Sequence, residues 1–327
     1  MTIKSSGTQL GFGEIETEFG AQSPRSLGSY RHSQTVNGLT FNGIDAGVPT
    51  SGEIKFSDFY SKSLNIVVDC YSGDDDETRV NAKTNKWNNN SIVIINPSSV
   101  SKKETGTKIT IRVNKKFGSD KSNVNNCALR TGTWNNPASV IVDLGSSAQI
   151  LGAGGNGGRG ADGITNDGVD GGDGSSGLGI EHQGTVVNYR SGSVIRAGFG
   201  GGGGGGAGFP FGTGGAGGTP LAGTDPGGSS IGSAGGNGTE TTGGNGGGGG
   251  DNEDQAGGQT GGVGGDNEQS PAAGPNSNSN GGAAGTNGAA IRESSGVSFT
   301  FGTGDLDNGT IEPSSFTNAA NAQQGVA

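Results

Sequence analysis

The chain has 327 residues, a formal net charge of −10 and a hydrophobic fraction of 28%, well below the roughly 45–50% of ordinary globular proteins. Residues 152–290 hold twelve Asp and Glu against three Arg. This segment therefore repels phosphate, and its composition argues against nucleic-acid binding. No stretch approaches the roughly 18 consecutive apolar residues of a membrane span, and the N-terminus lacks the apolar core of a signal peptide. We expect synthesis in the cytoplasm and no membrane insertion.

The first 62 residues contain an internal repeat that predicts a small attachment module. SGTQLGFGEI (6–15) and SGEIKFSDF (51–59) both follow Ser-Gly with alternating apolar residues, a period of two that is typical of short strands. Two short strands bury too little surface for an independent core, so we expect this module to dock on a partner protein. An alternative is that its apolar side chains pack on the next domain of the same chain. The predicted anchors are Phe12, Ile15, Phe19, Phe56, Phe59 and Tyr60.

The next part of the chain, residues 63–150, is predicted to form an all-β domain. Two segments share Trp-Asn-Asn, a short spacer and a β-branched run: KWNNNSIVIIN (86–96) and TWNNPASVIVDLG (133–145). The β-branched runs favour strands, and the matching positions of the two tryptophans favour a place in the core. Other segments with a strand pattern lie at 64–71, 107–114, 184–198 and 296–311.

The two cysteines, Cys70 and Cys127, lie 57 positions apart, which is outside any zinc-binding spacing. Buried thiols are the favoured interpretation, and a single disulfide stays open as the alternative.

Glycine dominates the chain beyond residue 150. Residues 151–290 hold 54 of the 73 glycines, and seven are consecutive from Gly200 to Gly206. Collagen requires a strict Gly-X-Y period with abundant proline, which this chain lacks, and disorder is the main alternative. Polyglycine II helices bond to their neighbours, and only glycine lets backbones approach on every side. We therefore predict packed antiparallel polyglycine II helices over 151–311, followed by a tail over 312–327.

Two glycine-rich segments carry a resemblance to a known family. SSAQILGAGGNGGRGADG (146–163) and GTVVNYRSGSVIRAGFGGGGGGGAG (184–208) resemble the glycine-rich receptor-binding adhesins of tailed bacteriophages, such as those at the tip of T-even-type long tail fibres. In this pattern a short strand leads into each glycine run. The closing segment 285–311 and PTSGEIKFSDFYSK (49–62) are also similar to phage tail proteins. The first 150 residues do not resemble the attachment domain of T-even adhesins.

This resemblance implies a virion protein of the tail fibre or tail tip, built as a polyglycine II sandwich whose loops bind a host receptor. The implied partners are a host outer-surface protein or glycan, and other tail-fibre or baseplate proteins. A virion structural connector and a virion-associated glycan hydrolase stay open as alternatives. Irregular loop lengths argue against an ice-binding protein, which needs one flat and regular face.

The candidate receptor-binding residues lie in loops between the glycine runs. Antiparallel helices would send alternate connections to opposite ends of the bundle, so that one set of loops forms a free tip. Two phenylalanines around a proline make a rigid apolar knob that suits recognition of a protein or a sugar ring. Alternatively, they cap the bundle, and the polar loop near residue 276 is simply solvated. The predicted receptor-binding residues are Phe209, Pro210, Phe211, Leu221, Asp225, Asn276 and Asn278.

Catalytic and metal-binding patterns are weak in this sequence. The acidic segments GDDDET (73–78) and DNED (251–254) offer oxygen ligands of the kind that calcium prefers, but they lack the EF-hand spacing. Solvated acidic turns are the favoured interpretation, and calcium binding stays open as the alternative. The two histidines, His32 and His182, have no G-x-S-x-G nucleophile elbow beside them. We therefore expect no enzymatic activity, no cofactor and no metal.

Overall fold

The structure is a computed structural model of the chain. It describes residues 3–19, 21, 23–31, 33–36, 39–42, 47–70, 80–81, 92–95, 108–119, 126–134, 139–161, 166–206, 271–273, 280–304, 309–312 and 323–326.

Strands make up most of the regular structure of these residues, which confirms the prediction of a mainly β protein. One α-helix, α1 (Phe12–Phe19), and two short 3-10 helices, Leu27–Tyr30 and Phe56–Phe59, lie in the N-terminal part. No helix in the described part of the chain has the length and apolar character needed to cross a bilayer. In chain order the strands are β1 (Ser33–Val36), β2 (Leu39–Asn42), β3 (Asn65–Cys70), β4 (Val80–Asn81), β5 (Ile92–Ile95), β6 (Lys108–Val113), β7 (Lys116–Gly118), β8 (Cys127–Arg130), β9 (Ser139–Leu144), β10 (Gln149–Leu151), β11 (Ser176–Ile180), β12 (Thr185–Tyr189), β13 (Val194–Arg196), β14 (Ile291–Ser294), β15 (Phe299–Phe301), β16 (Thr310–Glu312) and β17 (Gln323–Val326).

The chain winds through three sheets in a repeating order. From β6 onward it visits a six-stranded, a four-stranded and a five-stranded sheet in turn, in the circuits β6-β7-β8, β9-β10-β11, β12-β13-β14 and β15-β16-β17. Each strand pairs in parallel with the corresponding strand of the next circuit. This winding is that of a three-sided parallel β-helix. At one edge of the six-stranded sheet, β5 pairs antiparallel with β3.

Aliphatic side chains stack in register inside the β-helix. Val68, Ile111, Val142 and Val187 occupy corresponding positions of β3, β6, β9 and β12, and each is fully buried. Strand β9 alternates between buried and more exposed residues, as expected for a strand with one face on a core. Burying each such side chain contributes about 1.5–3 kcal/mol, so the stack stabilises successive circuits against each other.

The strands predicted from β-branched runs are confirmed. The structure has β3, β5, β6 and β9 inside the predicted segments of the all-β region, and β12, β13 and β15 inside the two later ones; β16 ends one residue beyond the last of these. Trp134 is 3% exposed, which confirms its expected place in the core, and its indole Nε1–H donates to Thr131 O (2.8 Å). Trp87 lies outside the described residues. Cys70 and Cys127 are both buried and form no disulfide with each other.

The prediction of strands at 6–15 and 51–59 is wrong, because these repeats form helix starts. The shared feature is an acid three residues beyond the residue that caps each helix. Glu14 Oε2 accepts from Gly11 N (3.0 Å), and Asp58 Oδ2 accepts from Lys55 N (2.7 Å). An acidic side chain that reaches back to the backbone N–H of the N-cap is half of a capping box, and it begins a helix.

Hydrogen bonding crosses residue 150 without a break, since β9 pairs with β12 over four residue pairs. Strand β17 lies in the segment expected to be a C-terminal tail and pairs in parallel with β14.

Candidate functional site

Two long excursions leave the β-helix at the same corner and carry the glycine-rich sequence. Their described parts are the first (152–161), second (166–175), third (197–206) and fourth (280–290) glycine segments. The first follows β10 and the second leads into β11; the third follows β13 and the fourth leads into β14. Each excursion therefore starts from the four-stranded sheet and returns to the five-stranded sheet, in two successive circuits.

Backbone hydrogen bonds join the four glycine segments at every third residue. The first segment runs parallel to the third and antiparallel to the second, and the fourth runs parallel to the second and antiparallel to the third. Parallel contacts thus occur beside the antiparallel ones that were predicted. We call this array the glycine lattice. Between the first and third segments the N–H donors and carbonyl acceptors are Gly152 and Arg196 (2.9 Å), Gly155 and Phe199 (2.8 Å), Gly158 and Gly202 (2.8 Å), and Ala161 and Gly205 (3.0 Å).

The seven-glycine run belongs to the third segment, which bonds to all three others. Gly201 N donates to Gly172 O in the second segment (2.9 Å), and Gly201 O accepts from Gly285 N in the fourth (2.8 Å). The adjacent Gly202 O accepts from Gly158 N in the first (2.8 Å). The run is therefore the centre of the glycine lattice, and the other three segments surround it.

Close approach of backbones explains why this centre carries no side chains. A Cβ on Gly198 would lie 1.8 Å from Ala153 O, and one on Gly201 would lie 2.0 Å from Asn156 O. Both oxygens belong to backbone that is already hydrogen-bonded, so neither can rotate away. Outside this centre the segments do carry side chains: Arg159 is exposed, and Phe199, next to the β-helix, is fully buried.

The glycine segments end at the side of the lattice away from the strands. Residues 161, 168, 205 and 280 are joined there by two hydrogen bonds, Ala161 N to Gly205 O (3.0 Å) and Gly168 N to Asn280 O (2.9 Å). We call this side the far end. The described chain leaves the lattice at the far end after Gly206. It bonds to the lattice again at Ala272, whose O accepts from Gly203 N (3.0 Å), and the fourth segment starts at Asn280.

The predicted receptor-binding residues fall between Gly206 and Asn280 along the chain. All seven, Phe209, Pro210, Phe211, Leu221, Asp225, Asn276 and Asn278, lie outside the described residues. The acidic segments 73–78 and 251–254 and His32 also lie outside them.

The predicted attachment residues lie in and beside the chain's own core. Ile15, Phe19 and Phe59 are fully buried, and the rings of Phe19 and Phe59 have centroids 6.2 Å apart. Three residues of the set are partly buried and pack against that core: Phe12, Phe56 and Tyr60.

Around the partly buried anchors, Phe12 meets Phe56 edge-on at 5.0 Å between ring centroids. The Arg25 guanidinium lies 5.0 Å from the centroid of the Phe12 ring. Tyr60 OH donates to Thr8 O. These contacts hold the aromatic side chains in fixed positions next to the core.

Ionisable groups cluster on the five-stranded sheet. Burial raises the pKa of the Cys127 thiol to about 11, and burial lowers the pKa of the Arg292 guanidinium. Arg130 Nη1 and Glu181 Oε1 form an ion pair at 2.8 Å, and Trp134 N donates to His182 Nδ1 (3.3 Å). Within the part of the chain that the structure describes, no group of three or more His, Cys, Asp or Glu could hold a metal ion.

Sequence analysis missed a second period inside the second glycine segment. Asp167, Asp170 and Asp173 are spaced by three, and their side chains bond to the fourth segment. The spacing is visible in DGVDGGDG (167–174) and matches the three-residue step of the lattice.

Comparison with known families identifies the class of this protein. Residues 77–312 match the model of the phage tail fibre adhesin Gp38. The match covers more than half of the chain and includes most of the β-helix and the glycine lattice. The protein is therefore a phage tail adhesin. The chain belongs to the Gp38 family of phage tail fibre adhesins, which confirms the resemblance predicted from sequence. Residues 1–76 lie outside the matched region.

Among solved structures, the chain is similar to one described as the crystal structure of the gp37-gp38 adhesin tip complex of the bacteriophage S16 long tail fiber. That chain is 20% identical with a TM-score of 0.42, and the match covers 81% of this chain and 90% of the other. No curated protein sequence matches this chain.

Proposed function

We propose that this chain is a non-enzymatic tail adhesin that binds a host bacterial surface protein or glycan through residues 207–279. The observation that carries the proposal is the path of the backbone: this stretch is the part of the chain between Gly206 and Asn280, both at the far end of the glycine lattice. A rigid support that displays connecting segments at one end suits recognition, because binding residues often lie on loops that a scaffold positions.

We infer that the four glycine segments are packed polyglycine II helices. Such a helix has three residues per turn and about 3.1 Å rise per residue, and it bonds only to its neighbours. The three-residue step of the hydrogen bonds supports this assignment, as does bonding of the third segment to three neighbours. Ten residues would then span about 31 Å, enough to hold the far end well away from the β-helix.

Residue-resolved amide exchange tests the helix assignment. In the third segment every third amide donates to the second segment: those of Gly198, Gly201 and Gly204. We expect slow exchange at all the hydrogen-bonded amides of the lattice, and similar rates at amides three residues apart, because they donate to the same neighbouring segment. Fast exchange throughout the segments, or an alternation of two as in an edge β-strand, would contradict polyglycine II packing.

The residues proposed to contact the receptor are those predicted from sequence. Phe209 and Phe211 follow three and five residues after Gly206, so they lie close along the chain to the far end. The apolar pair would supply contact area, and the polar positions would add hydrogen bonds to a protein or a glycan. The polar and charged members of the proposed set are Asp225, Asn276 and Asn278, and the remaining apolar members are Pro210 and Leu221.

Competition for adsorption tests the proposed receptor site. Purified full-length chain should protect host cells from the phage, and the F209A/F211A variant should lose at least tenfold in that competition. Its thermal unfolding should match that of the wild type. Undiminished competition by a folded F209A/F211A variant would place the receptor site elsewhere.

We propose that residues 1–62 attach the chain to other tail-fibre or baseplate proteins of the virion. In this proposal residues 63–150 connect that module to the adhesin part (151–311), and the C-terminal residues 312–327 form the end of the chain. The partly buried pair Phe12 and Phe56 would contact the partner, and Tyr60 would lie beside them. The fully buried Ile15, Phe19 and Phe59 would hold that surface in shape.

The F12A/F56A variant tests attachment and serves as the reciprocal control for F209A/F211A. We expect F12A/F56A to be lost from purified virions while the isolated chain still competes for host cells. The receptor variant should show the opposite pattern. Normal incorporation of folded F12A/F56A would contradict attachment through this surface.

Incubation with host polysaccharide separates adhesion from glycan cleavage. We expect binding and no released oligosaccharide, as for a non-enzymatic adhesin. Oligosaccharide in the supernatant would assign the chain to virion-associated hydrolases instead.

A further inference from the structure

The second glycine segment and the start of β11 carry an acceptor side chain at every third residue. These residues are Asp167, Asp170, Asp173 and Ser176, and each is followed by glycine: Gly168, Gly171, Gly174 and Gly177. The sequence DGVDGGDGSSG (167–177) thus contains four dipeptides of one type, Asp-Gly or Ser-Gly, in steps of three. We call them the acceptor-glycine dipeptides.

Each acceptor-glycine dipeptide binds both backbone groups of a single residue in the fourth segment. Asp170 Oδ1 accepts from Ala283 N (2.7 Å), and Gly171 N donates to Ala283 O (2.8 Å). The other three dipeptides repeat this geometry. Asp167 and Gly168 bind Asn280 (2.8 and 2.9 Å), Asp173 and Gly174 bind Thr286 (both 2.8 Å), and Ser176 and Gly177 bind Ala289 (3.0 and 2.9 Å).

The side chains supply acceptors on the outer flank of the lattice. Ala283 and Thr286 are exposed, and the carboxylates accept their N–H groups there. Charged acceptors form stronger hydrogen bonds than neutral ones. Where the flank meets the β-helix, the position is fully buried and is occupied by Ser176. A neutral hydroxyl avoids the large penalty for burying a charge.

A lattice of glycines alone would leave the alignment of its segments weakly defined. Because the bonding repeats every three residues, a shift of one segment by three positions restores most backbone hydrogen bonds. Such a shift of the fourth segment would also re-form most of the dipeptide bonds, because they are made to backbone N–H and C=O groups. It would, however, bring Ser279 to the position of Gly282 or Ile291 to that of Gly288, where a Cβ would lie 2.1 Å from Val169 O or 2.0 Å from Ser175 O.

We propose that the acceptor-glycine dipeptides are positioning residues that hold the fourth segment against the second, in the register that Gly282, Gly285 and Gly288 select. They thereby hold the end at which residues 207–279 return to the lattice. The step from this attachment to receptor binding rests on the proposed function; the attachment itself does not.

Two double variants test the positioning role: D170A/D173A removes two acceptors, and D170N/D173N keeps an Oδ1 acceptor without the charge. With the full chain, we expect D170A/D173A to speed amide exchange at Ala283 and Thr286 at least tenfold. Exchange at Gly285 and Gly288, which donate to Gly201 and Gly198, should change much less. The Asn variant should restore slow exchange, because its amide oxygen takes the same position.

Two results would overturn the proposal: unchanged exchange at Ala283 and Thr286 in the Ala variant, or an Asn variant as fast as the Ala variant. If D170A/D173A fails to fold, the single variant D167A at the far end carries the same test at Asn280. It should speed exchange of that amide and leave the amides of Thr286 and Ala289 slow.

Host-cell competition keeps the two proposals apart. Failure of the wild-type chain to compete would overturn the adhesin proposal and leave the exchange result standing. If the wild type competes, we expect D170A/D173A to compete at least threefold less well. Equal competition, despite faster exchange at Ala283 and Thr286, would overturn the link between attachment of the fourth segment and receptor binding.

Discussion

At the scale of single residues, the glycine lattice depends on where a methyl group has room. A Cβ on Gly201 would lie 2.0 Å from the carbonyl oxygen of Asn156 and 2.4 Å from its carbonyl carbon, whereas a Cβ on Gly13 would meet nothing within 4 Å beyond the nearby backbone of its own helix. We expect G201A to lower the free energy of unfolding by about 3 kcal/mol, because overpacking forces backbones apart. The matched control G13A should stabilise the chain by up to about 1 kcal/mol, because alanine favours helix. Denaturant titration measures both, and equal effects would contradict a close-packed lattice.

Cys127 predicts a loss of stability at alkaline pH. Burial raises the pKa of this thiol from an ordinary value of 9.0 to about 11. In that interval the unfolded chain releases the proton and the folded chain keeps it, so a rise in pH favours unfolding. Well below the unfolded pKa no such effect is expected, so pH 7.5 gives the baseline.

Urea titrations between pH 7.5 and 9.5 measure this effect. Burial also raises the pKa of Tyr30, and the range ends at pH 9.5 in order to limit the contribution of that side chain. We expect the free energy of unfolding to fall by about 1 kcal/mol. In the C127A variant, the free energy of unfolding should fall by about 1 kcal/mol less over the same pH range. Parallel pH profiles for the two proteins would show that the thiol is not linked to folding.

At the scale of elements, one buried hydrogen bond joins α1 to Leu64, the residue just before β3. Glu18 Oε1 accepts from Leu64 N (3.0 Å), and Glu18 is only 4% exposed. Removing the acceptor leaves a buried N–H to find another partner, so we expect E18A to cost about 2 kcal/mol of stability. E18Q keeps an acceptor oxygen and should cost less than half as much. Denaturant titration of both variants measures the difference, and equal losses would show that the charge matters more than the bond.

Local sequence predicts some of these elements and misleads on others. Long β-branched runs such as KITIRV (108–113) identify strands, since such residues fit a pleated, half-buried surface. The helix α1 was missed because Leu10 and Phe12 alternate as in a strand. The spacing of Phe12, Ile15 and Phe19 by three and four, with Glu14 at a capping position, is the helical signal in the same stretch.

At the scale of the whole molecule, the circuits of the β-helix are not readable from one sequence. Paired strands lie far apart and at uneven distances along the chain: Val142 pairs with Ile111 and with Val187, whereas Leu178 pairs with Ile291. No local pattern encodes such separations. The glycine lattice was more accessible, because a run without side chains has few ways to satisfy its backbone groups. Its parallel contacts follow from both excursions starting at the same corner, which only the three-dimensional winding reveals.

The charge of residues 152–290 predicts how the proposed adsorption to host cells depends on salt. Residues 152–290 carry twelve acidic residues and three arginines, and bacterial envelopes carry phosphate and carboxylate groups. Repulsion between like charges slows association and is screened as ionic strength rises. We therefore expect the association rate of the purified chain with host cells to rise several-fold between about 20 and 200 mM NaCl.

Neutralising Asp251, Glu253 and Asp254 by substitution with the corresponding amides should raise the association rate at low salt and weaken its dependence on salt. A rate that falls with salt would instead indicate that a basic surface, such as one with Arg159, meets the host.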